Sequence, residues 1–195
     1  MDHDSNSPLS IDDESLEHTP TTPRRSLPIY QAGGDHEPVF RALRVKEAAI
    51  AEEVAKLDLK ALRRVPLLSA NAKTSMSFDM PIGATCDPTE LCARTCYALS
   101  PRAATTWRKS LRKRLRNLRI IELVDPNEVA YRLADEMWRA RRRWAKRARF
   151  DFLRVNGTGD LSPALVDVLN VFAKENPSFT VWIVTRRFDL APRIA

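Results

Sequence analysis

Phe150-Asp151-Phe152-Leu153-Arg154-Val155-Asn156-Gly157-Thr158-Gly159-Asp160 is the stretch on which the fold turns. Its first six residues are short, mostly apolar and bulky, the pattern of a buried strand, and the Asn-Gly-Thr-Gly-Asp that follows is turn chemistry. Ser162 and Pro163 then supply a cap and a first-turn residue for a helix with Leu165, Val166, Leu169, Phe172 and Ala173 facing inward, stopped by Asn176-Pro177. A second apolar run covers 179–184, with Thr185 and Arg186 at its carboxyl end. Strand, helix and strand in this order predict two parallel strands joined by a right-handed crossover.

Working outward, two amphipathic helices precede this unit. Ser100-Pro101 begins the first, with Trp107, Leu111, Leu115, Leu118 and Ile121 on one stripe. Asp125-Pro126 begins the second, with Glu128 placed as in a capping box and Val129, Leu133, Met137, Ala140 and Trp144 on its buried side. Residues 66–101 are irregular and punctuated by Asn71, Asp79, Pro81, Gly83 and Pro88, so they read as loop. Another helix is expected over 39–59. Residues 1–37 are rich in Ser, Thr, Pro and Asp and poor in large apolar side chains, which predicts a disordered tail. The expectation is an α/β fold: a partial parallel (βα) barrel-like domain with several helices over 38–195, behind that tail. Two strands are little sheet for a complete barrel or doubly wound domain, so a truncated frame or a divergent short form is also expected.

The chain has 195 residues, 44% hydrophobic and 29% charged, with no apolar run long enough to span a membrane. The start lacks the basic and apolar regions of a secretory signal, so a cytoplasmic, reducing location is expected. The formal charge is +7, unevenly spread: residues 101–150 hold sixteen Lys and Arg against five acids, whereas the first twenty residues hold six acids and no base. Such a block suits nucleic acid or another polyanion, although a solvated basic helical face is the plainer alternative. The tryptophans Trp107, Trp138, Trp144 and Trp182 are expected mainly in the core.

All three cysteines fall within ten residues, as Cys86-x5-Cys92-x3-Cys96. Closely spaced thiols in a reducing compartment are more often metal ligands or redox groups than disulfides. Thiolates are soft ligands suited to iron–sulfur clusters and zinc. Structural zinc needs a fourth ligand, and His3, His18 and His36 all lie in the tail, which leaves Asp87, Glu90, a water or a second chain. A [4Fe–4S] cluster with one open iron needs no fourth ligand from the protein. Arg94 and the following helix are expected to depress the thiol pKa values. With no histidine outside the tail, Ser-His and Cys-His nucleophile systems are excluded, and Gly157-Thr158-Gly159 is too short for a dinucleotide fingerprint.

The stretches Leu68-Ser69-Ala70-Asn71-Ala72-Lys73, Met80-Pro81-Ile82-Gly83-Ala84-Thr85-Cys86, Cys96-Tyr97-Ala98 and Arg154-Val155-Asn156 leading to Gly159-Asp160 resemble the phage and plasmid "gene product 88" family. The likeness runs over about 68–186 and implies a fold and a site more firmly than a reaction. More distantly, the cysteine loop resembles that of radical S-adenosylmethionine proteins, whose usual spacing is Cys-x3-Cys-x2-Cys. That likeness implies a [4Fe–4S] cluster on Cys86, Cys92 and Cys96, S-adenosylmethionine as cofactor, and Tyr97, Asn156, Gly159 and Asp160 beside it, with Asp160 near the cofactor amino group. The alternative from the residues alone is a nucleic-acid-binding protein with structural zinc and a basic surface over 101–149.

Overall fold

A computed structural model describes residues 37–71, 75–99, 107–144 and 151–194. In chain order they form α1 (Glu37–Ala55), α2 (Leu59–Arg63), β1 (Ser69–Asn71), β2 (Ser75–Phe78), α3 (Ile82–Thr85), α4 (Glu90–Thr95), α5 (Trp107–Leu123), α6 (Pro126–Trp144), β3 (Phe152–Val155), α7 (Pro163–Glu175) and β4 (Thr180–Ile183). Short 3-10 turns follow at Tyr97–Leu99 and Ala191–Arg193. The expected tail lies outside the described residues except for Glu37, as does the helix start expected at Ser100-Pro101.

The strand, helix and strand expected from 150–184 are present, and β3 and β4 pair in parallel with Leu153 opposite Val181 and Val155 opposite Ile183. Ser162 caps α7 as anticipated, its hydroxyl accepting from the Leu165 amide. The loop expected over 66–101 is instead two strands and two short helices. β2 pairs in parallel with β3, and β1 lies antiparallel on β2, giving the linear order β1-β2-β3-β4. These strands escape the hydrophobic pattern because they are three and four residues long and carry Ser69, Ser75 and Ser77. The α/β class therefore stands, but four strands in linear order make an open mixed sheet and do not amount to a barrel.

Met76, Phe78, Leu153 and Val155 bring one face of the sheet against α5, α6 and α7, where Ile120, Leu133, Met137, Leu165, Leu169 and Phe172 are buried with them. Fully burying each such side chain contributes about 1.5–3 kcal/mol. A second cluster packs Phe40, Leu43, Ile50 and Val54 of α1 against Leu111 and Leu115 of α5 and against Ile82, Ala98 and Leu99 around the cysteine loop. α5 thus joins the two clusters, Leu111 and Leu115 serving one and Ile120 and Ile121 the other.

Two sequence expectations change. Glu128 does not close a capping box: Asp125 accepts from the Asn127 amide at 2.9 Å, while Glu128 receives both Arg63 Nε and Nη2 at 2.7 Å. Trp138 and Trp182 are not core residues, being 39% and 53% exposed, because Trp138 lies at the rim of α6 and Trp182 on the uncovered face of β4. The side chains of Trp107 and Trp144 lie outside the described residues.

Candidate functional site

The cysteine loop is laid across the carboxyl ends of the parallel strands by hydrogen bonds between two chain segments that continue β2 and β3. The Asn156 amide donates to the Phe78 carbonyl at 2.9 Å and the Met80 amide to the Thr158 carbonyl at 3.0 Å, which extends the pairing beyond the strands. Thr158 Oγ1 donates to the Met80 carbonyl at 3.2 Å, and the Asp160 amide donates to Thr85 Oγ1 at 2.9 Å. Gly159 makes this approach possible: its φ is +81°, and a Cβ there would meet the Met80 backbone oxygen at 2.6 Å.

Each cysteine is set by a local device. The Cys86 amide closes α3 onto the Ile82 carbonyl at 2.9 Å. Thr89 caps α4 by accepting from the Cys92 amide at 3.2 Å, and the Cys96 carbonyl accepts from Leu99 at 3.1 Å. From below, α1 presents Glu47, which is 3% exposed and accepts from the Ala84 amide at 2.9 Å. Gly83 leaves room for that carboxylate, since a Cβ there would lie 2.6 Å from Glu47 Oε2. Burial pushes the Glu47 carboxyl above its ordinary value, against hydrogen bonds from the Gly83, Ala84 and Ile82 amides and the charge of Arg114.

Cys86, Cys92 and Cys96 line one cavity of about 240 Å³ together with Asn156, Gly159, Asp160, Thr185 and Arg186. Three of the four ligand-binding residues expected beside the cysteines are thus brought to them; the side chain of the fourth, Tyr97, lies outside the described residues. All three cysteines are free thiols. Among the described residues no group of three His, Cys, Asp or Glu side chains is gathered at metal-ligand distance, so the sulfurs share a cavity without converging.

The thiols are not activated in the way the sequence suggests. Burial pushes the Cys86 thiol up to about 12, with the negative charge of Asp160 adding to it and Arg186 opposing. Cys96 is also raised by burial. Arg94 does not offset this, because it pairs with Glu90 at 2.6 Å on the exposed side of α4. Glu90 and the exposed Asp87, which were candidate fourth zinc ligands, do not line the cavity.

Asp160 is 3% exposed and does not cap α7, a role that Ser162 fills. Its Oδ1 accepts from Thr185 Oγ1 at 2.5 Å, from the Leu161 amide at 2.9 Å and from the Arg186 amide at 3.2 Å. Its Oδ2 lies 3.8 Å from Arg186 Nε. Asn156 is 1% exposed at φ +57°, a left-handed conformation that Asn tolerates better than most residues. Its side-chain Nδ2 and Oδ1 both lack hydrogen-bond partners among the described residues, as does Arg186 Nη1. Native proteins seldom leave buried amides unpaired, which marks this wall as built to meet something.

A family model described as Gene product 88 matches residues 46–195, a span that holds every residue of this cavity. The chain belongs to the Gene product 88 family, a phage-type gene product family. No curated protein and no solved structure matches it. Among the described residues no helix is long and apolar enough to cross a membrane.

Sequence reading missed Glu47, Thr85 and Val184. Glu47 had one signal, a carboxylate in register with the apolar stripe Leu43, Ile50 and Val54 of α1. Among the described residues, several side chains of the basic block over 101–150 have partners within the protein. Arg108 and Arg112 lie 3.8 and 3.7 Å from Glu53, Lys113 donates to the Leu68 carbonyl, Arg132 to the Val65 carbonyl at 2.9 Å, and Arg139 pairs with Asp135.

Proposed function

We propose that Cys86, Cys92 and Cys96 would hold a [4Fe–4S] cluster in the cavity they share with a small-molecule site formed by Asn156, Asp160, Thr185 and Arg186. The observation that carries this reading is that three thiols, a buried carboxylate and a buried unpartnered amide line the same cavity. The donor set fits such a cluster: three soft sulfurs, and in the cavity no histidine and no fourth cysteine to complete a zinc site. Metal sites are commonly assembled on binding, so sulfurs that share a cavity without converging are compatible with loading that draws α3 and α4 together.

When bound, such a cluster supplies one electron to a ligand at its open iron, as in the radical S-adenosylmethionine chemistry to which the cysteine loop has a distant likeness. The protein's part is recognition. Asp160 Oδ2 is positioned to accept from an ammonium group, and Arg186 Nη1 to donate to a carboxylate or phosphate. Asn156 offers one donor and one acceptor together. Ligands of parallel sheets bind at the carboxyl ends of strands, where all these residues lie.

Anaerobic reconstitution with iron and sulfide tests the reading. Visible sulfur-to-iron charge-transfer absorption is expected in the wild type and not in a variant with Cys86, Cys92 and Cys96 replaced by Ala. An unchanged wild-type spectrum rejects cluster binding. Stoichiometric zinc in protein purified without oxygen selects the zinc alternative instead.

A further inference from the structure

We propose that the face of β3 and β4 left open among the described residues is a stacking platform for single-stranded nucleic acid that leads to the cysteine cavity. In both strands alternate residues point to opposite sides. Leu153, Val155, Val181 and Ile183 face the helices, and all belong to or pack on the main core. Phe152, Arg154, Thr180 and Trp182 face the other way, and neither hydrophobic cluster draws a residue from that side. The face is closed over β2, where Ser77 is buried and bonded to Asp79, and opens over β3 and β4, where Phe152 is 42% and Trp182 53% exposed.

The occupant follows from the chemistry of the open part. Two aromatic rings on neighbouring strands are flanked by a guanidinium, Arg154, which is opposite Trp182 in register and stands 5.8 Å from its ring. Arg154 is half-buried, its guanidinium resting over Gly157 with Nε shielded from solvent. Exposed aromatics on a sheet face with arginine among them are what unstacked bases and their phosphates require, since every base has a π-face and every linkage a negative charge. A duplex, with its bases already stacked on each other, has no use for them. The net charge of +7 is complementary to a polyanion.

The platform ends at the cavity. Two residues beyond Arg154 and Trp182 come Asn156 and Val184, both of which line the cysteine pocket. Two residues of strand advance about 6–7 Å, roughly one nucleotide step of an extended single strand. A strand lying across Phe152 and Trp182 therefore brings its next base to the exposed Val184 at the rim of the cysteine pocket. The platform itself needs no metal, so it stands or falls separately from the cluster.

The test is anisotropy of a fluorescently labelled oligothymidylate and its oligouridylate counterpart with the metal-free full chain at one fixed low salt concentration. The wild type is expected to bind at least one of them, and Trp182→Ala to bind roughly five- to a hundredfold more weakly, as loss of one stacked base would require. Trp182→Phe is expected to recover most of that loss, whereas Trp182→Leu is not. Tyr131→Ala, which removes a still more exposed ring from α6, is expected to leave binding unchanged. Circular dichroism confirms that each variant is folded. The proposal is overturned if the wild type binds neither oligonucleotide, or if Trp182→Ala binds as tightly as the wild type. It is also overturned if sedimentation reveals a dimer that Trp182→Ala dissolves and oligonucleotide does not compete, because the face is then an interface between copies.

Discussion

The two sides of β3 and β4 are made by the same eight residues and have opposite characters. On the side facing α6 and α7, Leu153 and Val155 are fully buried among Phe78, Met137, Leu165 and Phe172. On the other, Phe152 and Trp182 expose their rings, with the Arg154 guanidinium 5.8 Å from the ring of Trp182. A side chain inside the first set holds the fold; an aromatic ring of the second adds little to it and remains available. At the carboxyl end the two sides meet at Asn156 and Gly159, where positive φ angles are imposed on the backbone and Asn156 is buried as well.

That contrast is open to attack by substitution. The largest effect is expected on the covered side, where Phe78→Ala costs about 3–5 kcal/mol and Leu153→Ala about 2–5 kcal/mol in urea unfolding, through lost transfer energy and the cavity left behind. At the junction, Gly159→Ala places a side chain at φ +81° against the Met80 carbonyl and is expected to cost more than about 1 kcal/mol. A smaller loss there would mean that the two chain segments are less tightly joined than their hydrogen bonds imply.

Glu47 offers a pH-dependent comparison. A carboxyl raised on folding contributes stability that is fully present below its unfolded pKa and fades as pH climbs through the folded value. The wild type is therefore expected to lose stability relative to Glu47→Gln as pH rises from about its ordinary value of 4.5. Unfolding curves of both proteins that keep a constant separation across that range would remove Glu47 from the account. Cys86 gives a chemical counterpart: with its thiol pushed up to about 12, it is expected to alkylate far more slowly than a free thiol at mildly alkaline pH in metal-free protein. The smallest effect returns to the uncovered side, where Trp182→Ala is expected to alter stability by no more than about 0.5 kcal/mol. A cost near that of Leu153→Ala would erase the distinction between the two sides.

Helices and the last two strands were legible because they have strong periods and explicit caps: Leu111 and Leu115 on α5, Leu133 and Met137 on α6, Ser162-Pro163 at α7. β1 and β2 were not, since at three and four residues they are too short for an alternation such as Ser75, Met76, Ser77 and Phe78 to stand out from a loop. The cavity was half legible. Clustering of Cys86, Cys92 and Cys96 is visible in the chain, and Asn156, Gly159 and Asp160 stand out as polar residues after an apolar run. Glu47 lay 39 residues before Cys86 on another element, and the exposure of Trp182 depends on which side of the sheet the helices choose.

Local chemistry settles which segments are helix or strand and which residue types are available to react, because periods, caps and thiol spacing act over a few residues. Assembly settles what those residues experience. Burial raises Cys86 where the neighbouring Arg94 suggested the reverse, backbone carbonyls 45 and 67 residues away accept from Lys113 and Arg132 of the basic block, and β2 meets β3 only after some seventy intervening residues. Desolvation and charge depend on everything within a few ångströms, and that neighbourhood comes into being only when distant parts of the chain pack together.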